Sequence, residues 1–302
     1  MTKVAIALDP ARRRRLGIAA ILSVVLIWSG WIITSSWGVH RNLTSWDITF
    51  LRFGSAALIT SPMLYRKRRQ LASVFNFRVG LCALGCGFPY TMASFFGLAH
   101  SPASNAGVIV NGLLPLLVAA MAYLWLRQGV SRRKLLGIGL IAAANALILI
   151  DGGGANLGGA LFLFCAALFM AGYSVSMRVW NIPLDVMIVA VPWINALLFL
   201  PIWWFAPSGL PAATSGEILL QVFFQGALVS VVALFLMTYA IHVLGSVTAS
   251  TYMGLVPAVA AFFAFAILHE PIGALTLLSV CACSAGIAIY NLRGAVEARA
   301  PS

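Results

Sequence analysis

The sequence predicts an all-α membrane protein: ten transmembrane helices built from two inverted five-helix repeats. Three observations carry that expectation. Of 302 residues, 62% are hydrophobic and only 9% are charged. The apolar residues form continuous runs of about 20 rather than alternating strands. The two halves of the chain match each other at a fixed spacing.

Composition sets the class. A soluble domain needs about a quarter of its residues charged to cover its surface. With 9% charged, most of this surface must face lipid. Ten helices of roughly 20 residues use about two-thirds of the chain and leave no room for a sizeable soluble domain. The net charge of +12 would suggest nucleic acid in a soluble protein. Here the basic residues sit in short loops, the pattern that membrane insertion produces. The expected surroundings are a lipid bilayer, with no nucleic-acid partner.

The first span, 16–37, follows Arg12 to Arg15 and is too long for a signal-peptide core, so it reads as a retained helix. The second, 46–64, holds Arg52 and ends on Arg66, Lys67, Arg68 and Arg69. The third, 79–98, contains Pro89, and the fourth, 103–126, contains Pro115. The fifth, 132–150, starts on Arg132, Arg133 and Lys134. The second half repeats the scheme with 157–178, 184–205, 218–242, 248–268 and 272–291. This divides the chain into a basic tail (1–15), a first repeat (16–150), a linker (151–156), a second repeat (157–291) and a short tail (292–302).

Lys and Arg give the orientation. With the N-terminus in the cytoplasm, Lys3, Arg12 to Arg15, Arg66 to Arg69, Arg78, Arg127, Arg132 to Lys134, Arg178, Arg293 and Arg299 all fall inside. Among the outer loops only Arg41 is basic. The bias predicts both termini in the cytoplasm of a bacterial-type inner membrane. Cys82, Cys86, Cys165, Cys281 and Cys283 lie within apolar runs, with neither disulfide nor zinc spacing, and read as small residues at helix contacts.

Gly112-Leu113-Leu114-Pro115 and Gly254-Leu255-Val256-Pro257 lie 142 residues apart. The same offset sets Arg127-Gln128 against His269-Glu270 and Gly30 against Gly172, while Pro62 meets Pro201 after a small shift. Five spans is an odd number, so the second copy enters the membrane from the opposite side. Two such copies pack about a pseudo-two-fold axis in the membrane plane and support two nearly equivalent states, one open to each side. That predicts a carrier for a small molecule.

The chain resembles the drug/metabolite transporter superfamily in its ten-span EamA-type branch. The resemblance rests on the duplicated five-span units, Trp28-Ser29-Gly30 and Leu51-Arg52-Phe53. Pro115, Pro257 and Glu270 at the close of span nine add to it. One departure is Gln128, where such repeats usually carry Glu. The resemblance implies an exporter-like carrier of metabolites, often amino acids or related compounds. It also implies a dimer face on spans five and ten, although many relatives are monomers. Ala142, Ala143, Ala144 and Ala146, with Ala282, Ala285 and Ala288, would let those two spans approach closely.

Polar side chains inside a membrane face a cavity or another helix. Paired helix breaks at Pro115 and Pro257 point to a central site and a gating role. Around them the sequence offers Asn111 and Tyr252, Trp28 and Trp31, and Tyr90 and Ser94. Tyr173, Ser174 and Gln225 complete the candidate substrate-binding set. Rings and amides of this kind suit a small amphipathic solute. Arg52 is either an anchor for an anionic group or a structural arginine bonded to carbonyls. Trp37, Trp46, Trp203 and Trp204 sit near span ends, where tryptophans anchor at the interface.

Asp47, Asp151, Asp185, Glu217 and Glu270 fall at or near span ends. The small four-span relatives exchange cation for proton on a membrane-embedded carboxylate, which this sequence does not offer. A neutral, zwitterionic or anionic cargo therefore fits better than proton-coupled drug efflux, the runner-up. No His, Asp and Glu cluster has ligand spacing, so neither an enzyme, a metal nor a cofactor is expected. Asp151-Gly152-Gly153-Gly154 lacks the Lys-Ser/Thr of a phosphate-binding loop and reads as a hinge. A channel and a lipid-modifying enzyme are the readings from other classes.

Overall fold

The structure is a computed structural model that describes residues 9–74, 76–127, 131–151 and 157–291. Gln128, the glycines of the linker, Lys3, Arg293 and Arg299 lie outside the described residues. Every regular element among the described residues is helical. In chain order they are α1 (Pro10–Val39) and α2 (Ser45–Val74), then α3 (Phe77–Leu98), α4 (Ala103–Trp125) and α5 (Arg132–Asp151). The second half gives α6 (Leu157–Val179), α7 (Leu184–Trp204), α8 (Ser215–Leu244), α9 (Thr248–Leu268) and α10 (Ala274–Asn291).

Among the described residues, eight of these are long and apolar enough to cross a membrane. Helix α2 carries Asp47 and Arg52 within its apolar stretch, and Arg132, Arg133 and Lys134 begin α5. Helix α1 begins at Pro10, so Arg12 to Arg15 belong to a helix rather than to a tail. Proline suits a first helical turn, where its missing N–H has no partner to lose. Helix α2 runs on to Val74, ten residues past the apolar stretch. Lys and Arg are good helix formers, so leaving the hydrocarbon ends the apolar run and not the helix.

The outer faces are apolar. Leu58, Leu124, Phe262 and Leu277 are all more than half exposed, a surface that needs lipid to cover it. Cys82 and Cys283 are buried at helix contacts, but Cys165 and Cys281 are exposed on the outer surface, so for those two the expectation of a contact role fails. Apolar periodicity alone did not separate the lipid face from the packed one, because both are apolar.

The helix pairing is symmetric under exchange of the halves. Helix α1 packs on α8 and α9, and α6 packs on α3 and α4. Helix α2 packs on α8, and α7 on α3, while α2 meets α7 and α5 meets α10. The α5–α10 pairing is the most extensive. It is close because Gly137 and Gly286 leave room: a Cβ on Gly137 would lie 2.7 Å from the Gly286 carbonyl oxygen. Ala144 is fully buried there, whereas Ala142, Ala143, Ala146 and Ala285 face outward.

The duplication extends to the caps. Helices α4 and α9 end on Arg127 and His269, both left-handed, with φ of 53° and 57°. Each closes its helix by donating its backbone N–H to the carbonyl four or five residues back. The anticipated paired breaks are present, in different forms. Before Pro115 the chain widens into a π-helix, Gly107–Gly112. Before Pro257 the helix is interrupted at Gly254 and Leu255. Helix α3 is broken at Cys86 and Gly87, and α8 is π-helical over Val222–Val232.

Candidate functional site

A buried polar cluster lies where α1, α2, α3 and α8 meet. Gln225, fully buried in the π-helical stretch of α8, is its centre. Its Oε1 accepts from Trp31 Nε1 at 2.9 Å and from Arg52 Nη1 at 3.3 Å. Its Nε2 donates to Ser35 Oγ at 2.9 Å and to Gln221 Oε1 at 3.2 Å. Gln221 in turn donates to the Thr34 carbonyl at 2.9 Å. In this widened π turn the Ser230 hydroxyl donates to the carbonyl of Gln225, five residues before it, at 2.7 Å.

Aromatic rings wall this cluster. Trp31 stacks on Tyr90 at 5.9 Å between centroids, with 21° between planes. The Arg52 guanidinium carbon lies 5.5 Å from the centre of the Trp31 ring, a cation–π distance. Arg52 sits seven residues into α2, and Trp31, Tyr90 and Gln225 lie eight to ten residues from the neighbouring helix ends. At 1.5 Å per residue all four are about 10–15 Å below the end of the bundle where α1 turns into α2. That is near the middle of a hydrocarbon layer of roughly 30 Å.

Four of the anticipated residues therefore come together: Trp31, Tyr90, Gln225 and Arg52. The others go elsewhere. Trp28 and Tyr252 pack against a separate apolar cluster that includes Ile21, Val24 and Ala240. Ser94 and Ser174 each return their hydroxyl to the carbonyl four residues back, of Tyr90 and Met170, at 2.8 Å. Such back-bonding satisfies a hydroxyl inside its own helix. Asn111 is half-buried in the π turn before Pro115. Ser29, in the segment that carried the resemblance, donates across the interface to the carbonyl of Val256 at the break in α9.

Tyr173 stands at the pseudo-symmetric counterpart. The offset that pairs Gly30 with Gly172 pairs Trp31 with Tyr173. The shift that pairs Pro62 with Pro201 pairs Cys86 with Gln225, Gly87 with Gly226 and Arg52 with Val191. Tyr173 lies beside Cys86, as Trp31 lies beside Gln225. The two glycines allow the same close approach: a Cβ at Gly226 would strike Ser55, and one at Gly87 would strike Asn195.

Asn195 is a residue that the sequence reading did not single out. It is fully buried in α7 and repairs the break in α3. Its Oδ1 accepts from the Phe88 N–H at 2.8 Å, and its Nδ2 donates to the Ala83 carbonyl at 3.0 Å. The signal was a single amide inside an apolar run, opposite a Gly-Cys-Gly sequence whose break was not evident.

Three carboxylates stitch the α1–α2 end. Asp47 accepts from the Thr44 backbone, Trp203 Nε1, Ser208 Oγ and the Gly209 N–H at 2.7–3.0 Å. Trp203 thus ties α7 to α2 as well as placing a ring near the interface. Glu217 closes a capping box with Thr214 and accepts from Asn42. Glu270, at the end of α9, accepts from the backbone N–H groups of Ala103 and Ser104, at 2.8 and 3.2 Å, at the start of α4. A carboxylate on those free N–H groups is favoured by both hydrogen bonding and the helix dipole.

The clefts lie toward the other end. One of about 320 Å³ runs between the start of α3 and the later part of α6, past Cys82, Gly85, Gly172 and Tyr173. Another, of about 420 Å³, is framed by Arg13, Arg14, His242 and Thr248. Among the described residues no group of three or more His, Cys, Asp or Glu side chains could hold a metal ion.

Fold and site together define a multi-pass membrane protein of two inverted repeats around a polar, aromatic centre. The sequence matches the EamA-like transporter family twice, over residues 15–150 and 157–292. The chain belongs to that family, a branch of the drug/metabolite transporter superfamily. A solved crystal structure, described only as that of a protein, superposes with a TM-score of 0.64 at 17% identity. The match covers 92% of this chain and 96% of that one, and it supports the shared fold. No protein with a curated description matches the sequence.

Proposed function

We propose that this protein is a secondary carrier that exports a small neutral, zwitterionic or anionic metabolite, such as an amino acid, by alternating access. The observation that carries the reading is the pair of pseudo-symmetric clusters, Trp31 with Gln225 and Tyr173 with Cys86, at mid-depth between exchangeable halves. Two equivalent packings of one repeat against the other give two states around a fixed site. The carboxylate ties close the α1–α2 end, which fits a state open toward the termini. With the termini in the cytoplasm of an inner membrane, as the Lys and Arg distribution favours, that state faces inward.

Pro115 and Pro257 mark the segments that would bend as the halves exchange roles, and Asn111 and Tyr252 lie beside them. The carboxylates of Asp47, Glu217 and Glu270 are engaged at the bundle end, which favours this reading over proton-coupled drug efflux. The exposed faces of α5 and α10 leave room for a homodimer beside the monomer. Purified protein in liposomes tests the carrier reading. Saturable counterflow of a labelled metabolite is expected, and single-channel currents without saturation would reject it.

A further inference from the structure

Arg52 is 9% exposed and lies at mid-depth. Its Nη1 donates to a neutral amide oxygen, that of Gln225. Its Nε–H is enclosed and finds no acceptor. The ionisable groups beside it are Tyr90 and Cys86, both uncharged forms near neutral pH. Asp47, Glu217 and Glu270 are each held by several donors at the bundle end. A guanidinium removed from water without a counter-charge is unfavourable. Its planar edge matches the two oxygens of a carboxylate.

We propose that Arg52 receives the carboxylate of the transported solute, which narrows the cargo of the carrier reading from amino acids to organic acids without an amino group. The inference rests on the carrier reading above and concerns the same site. The stacked rings of Trp31 and Tyr90 offer apolar surface beside the guanidinium for the rest of the molecule. The ionisable groups that act on Arg52 are Tyr90 and Cys86, and no carboxylate is among them. Binding neutralises the buried charge, so the loaded carrier reorients more readily than the empty one. Transport then runs as exchange of one organic anion for another.

Thermal shift on the purified full chain tests this. The probes are propionate, phenylpropionate and indolepropionate, each beside its primary amide and its amino-acid counterpart (alanine, phenylalanine, tryptophan). At least one acid is expected to raise the melting temperature, with its amide and amino acid weaker by about tenfold, a difference of one charge-assisted pair. Arg52→Lys should keep a weakened shift, and Arg52→Gln should lose it. The empty Arg52→Gln protein should melt no lower than the wild type, because Gln225 Oε1 keeps the Trp31 donor. A structural arginine would behave in the opposite way. Failure of every acid, equal shifts from the amides, tighter binding of the amino acids, or an unchanged shift in Arg52→Gln would overturn the proposal. Saturable counterflow of a neutral solute, unimpaired in Arg52→Gln, would overturn it and leave the carrier reading standing. Acid binding without saturable flux of any probe would overturn the carrier reading and leave the anion site.

Discussion

The two halves of this protein place an aromatic side chain against a polar partner at corresponding positions, but only one half adds a charge. In the first cluster Trp31 donates to Gln225, and Arg52 joins from α2. In the second, Tyr173 stands beside Cys86, and Val191 takes the place of Arg52. The scaffold around the two is alike, with Gly226 against Ser55 and Gly87 against Asn195, one residue from strict correspondence. The difference teaches that duplication built the frame while divergence of a few side chains made the chemistry one-sided. An inverted repeat needs matched halves to exchange states, but a substrate needs only one anchor.

The irregular helices show the same division. Helix α3 is broken where α8 is π-widened, and α4 is π-widened where α9 is broken. Each irregularity frees backbone groups that a membrane cannot hydrate. In α3 Asn195 satisfies them. In α8 the Ser230 hydroxyl donates to the Gln225 carbonyl, and the Gln225 side chain joins the cluster. Corresponding positions thus share a need for irregularity and differ in how it is met.

Substitutions can break or sharpen this comparison. The largest effect is expected from Gly226→Leu and Gly87→Leu, which drive a side chain into the facing helix. Each should cost about 3 kcal/mol or more as overpacking, read as lost monodisperse yield in detergent. If one is tolerated, the two contacts are not equivalent. Gln225→Leu leaves Trp31, Arg52 and Ser35 without their partner and should cost about 2–3 kcal/mol, with counterflow abolished. Asn195→Ala removes an acceptor from Phe88 and a donor from Ala83. It should cost roughly 1–3 kcal/mol, seen as a lower melting temperature with residual transport. Cys86→Ala, the deletion matched to Gln225→Leu, should cost no more than about 1 kcal/mol and leave transport near normal. Equal losses in Gln225→Leu and Cys86→Ala would contradict the one-sided site.

Much of the frame was legible in one dimension. The pairing of Gly112 to Pro115 with Gly254 to Pro257 located the repeat, and the matching caps at Arg127 and His269 follow the same offset. The helix ends at Pro10 and Val74 were not legible, because apolarity marks the hydrocarbon boundary and a basic helix continues past it. Among candidate residues, Trp31, Tyr90, Gln225 and Arg52 converge, while Trp28 and Tyr252 pack against a separate cluster. All six sit within apolar spans, and nothing in their local sequence tells which way each one turns. Asn195 went unnoticed because its role depends on a break in a different helix.

By itself the sequence determined the class, the duplication and the depth of each polar residue. Those follow from composition and from a rise per residue that every helix shares. The tertiary structure decided which polar groups meet. It set Gln225 between Trp31 and Arg52, sent Tyr173 to the counterpart beside Cys86, and left the Arg52 Nε–H enclosed without an acceptor. Those outcomes depend on helix rotation and on the π turn in α8. Both are set by packing between segments far apart in the chain.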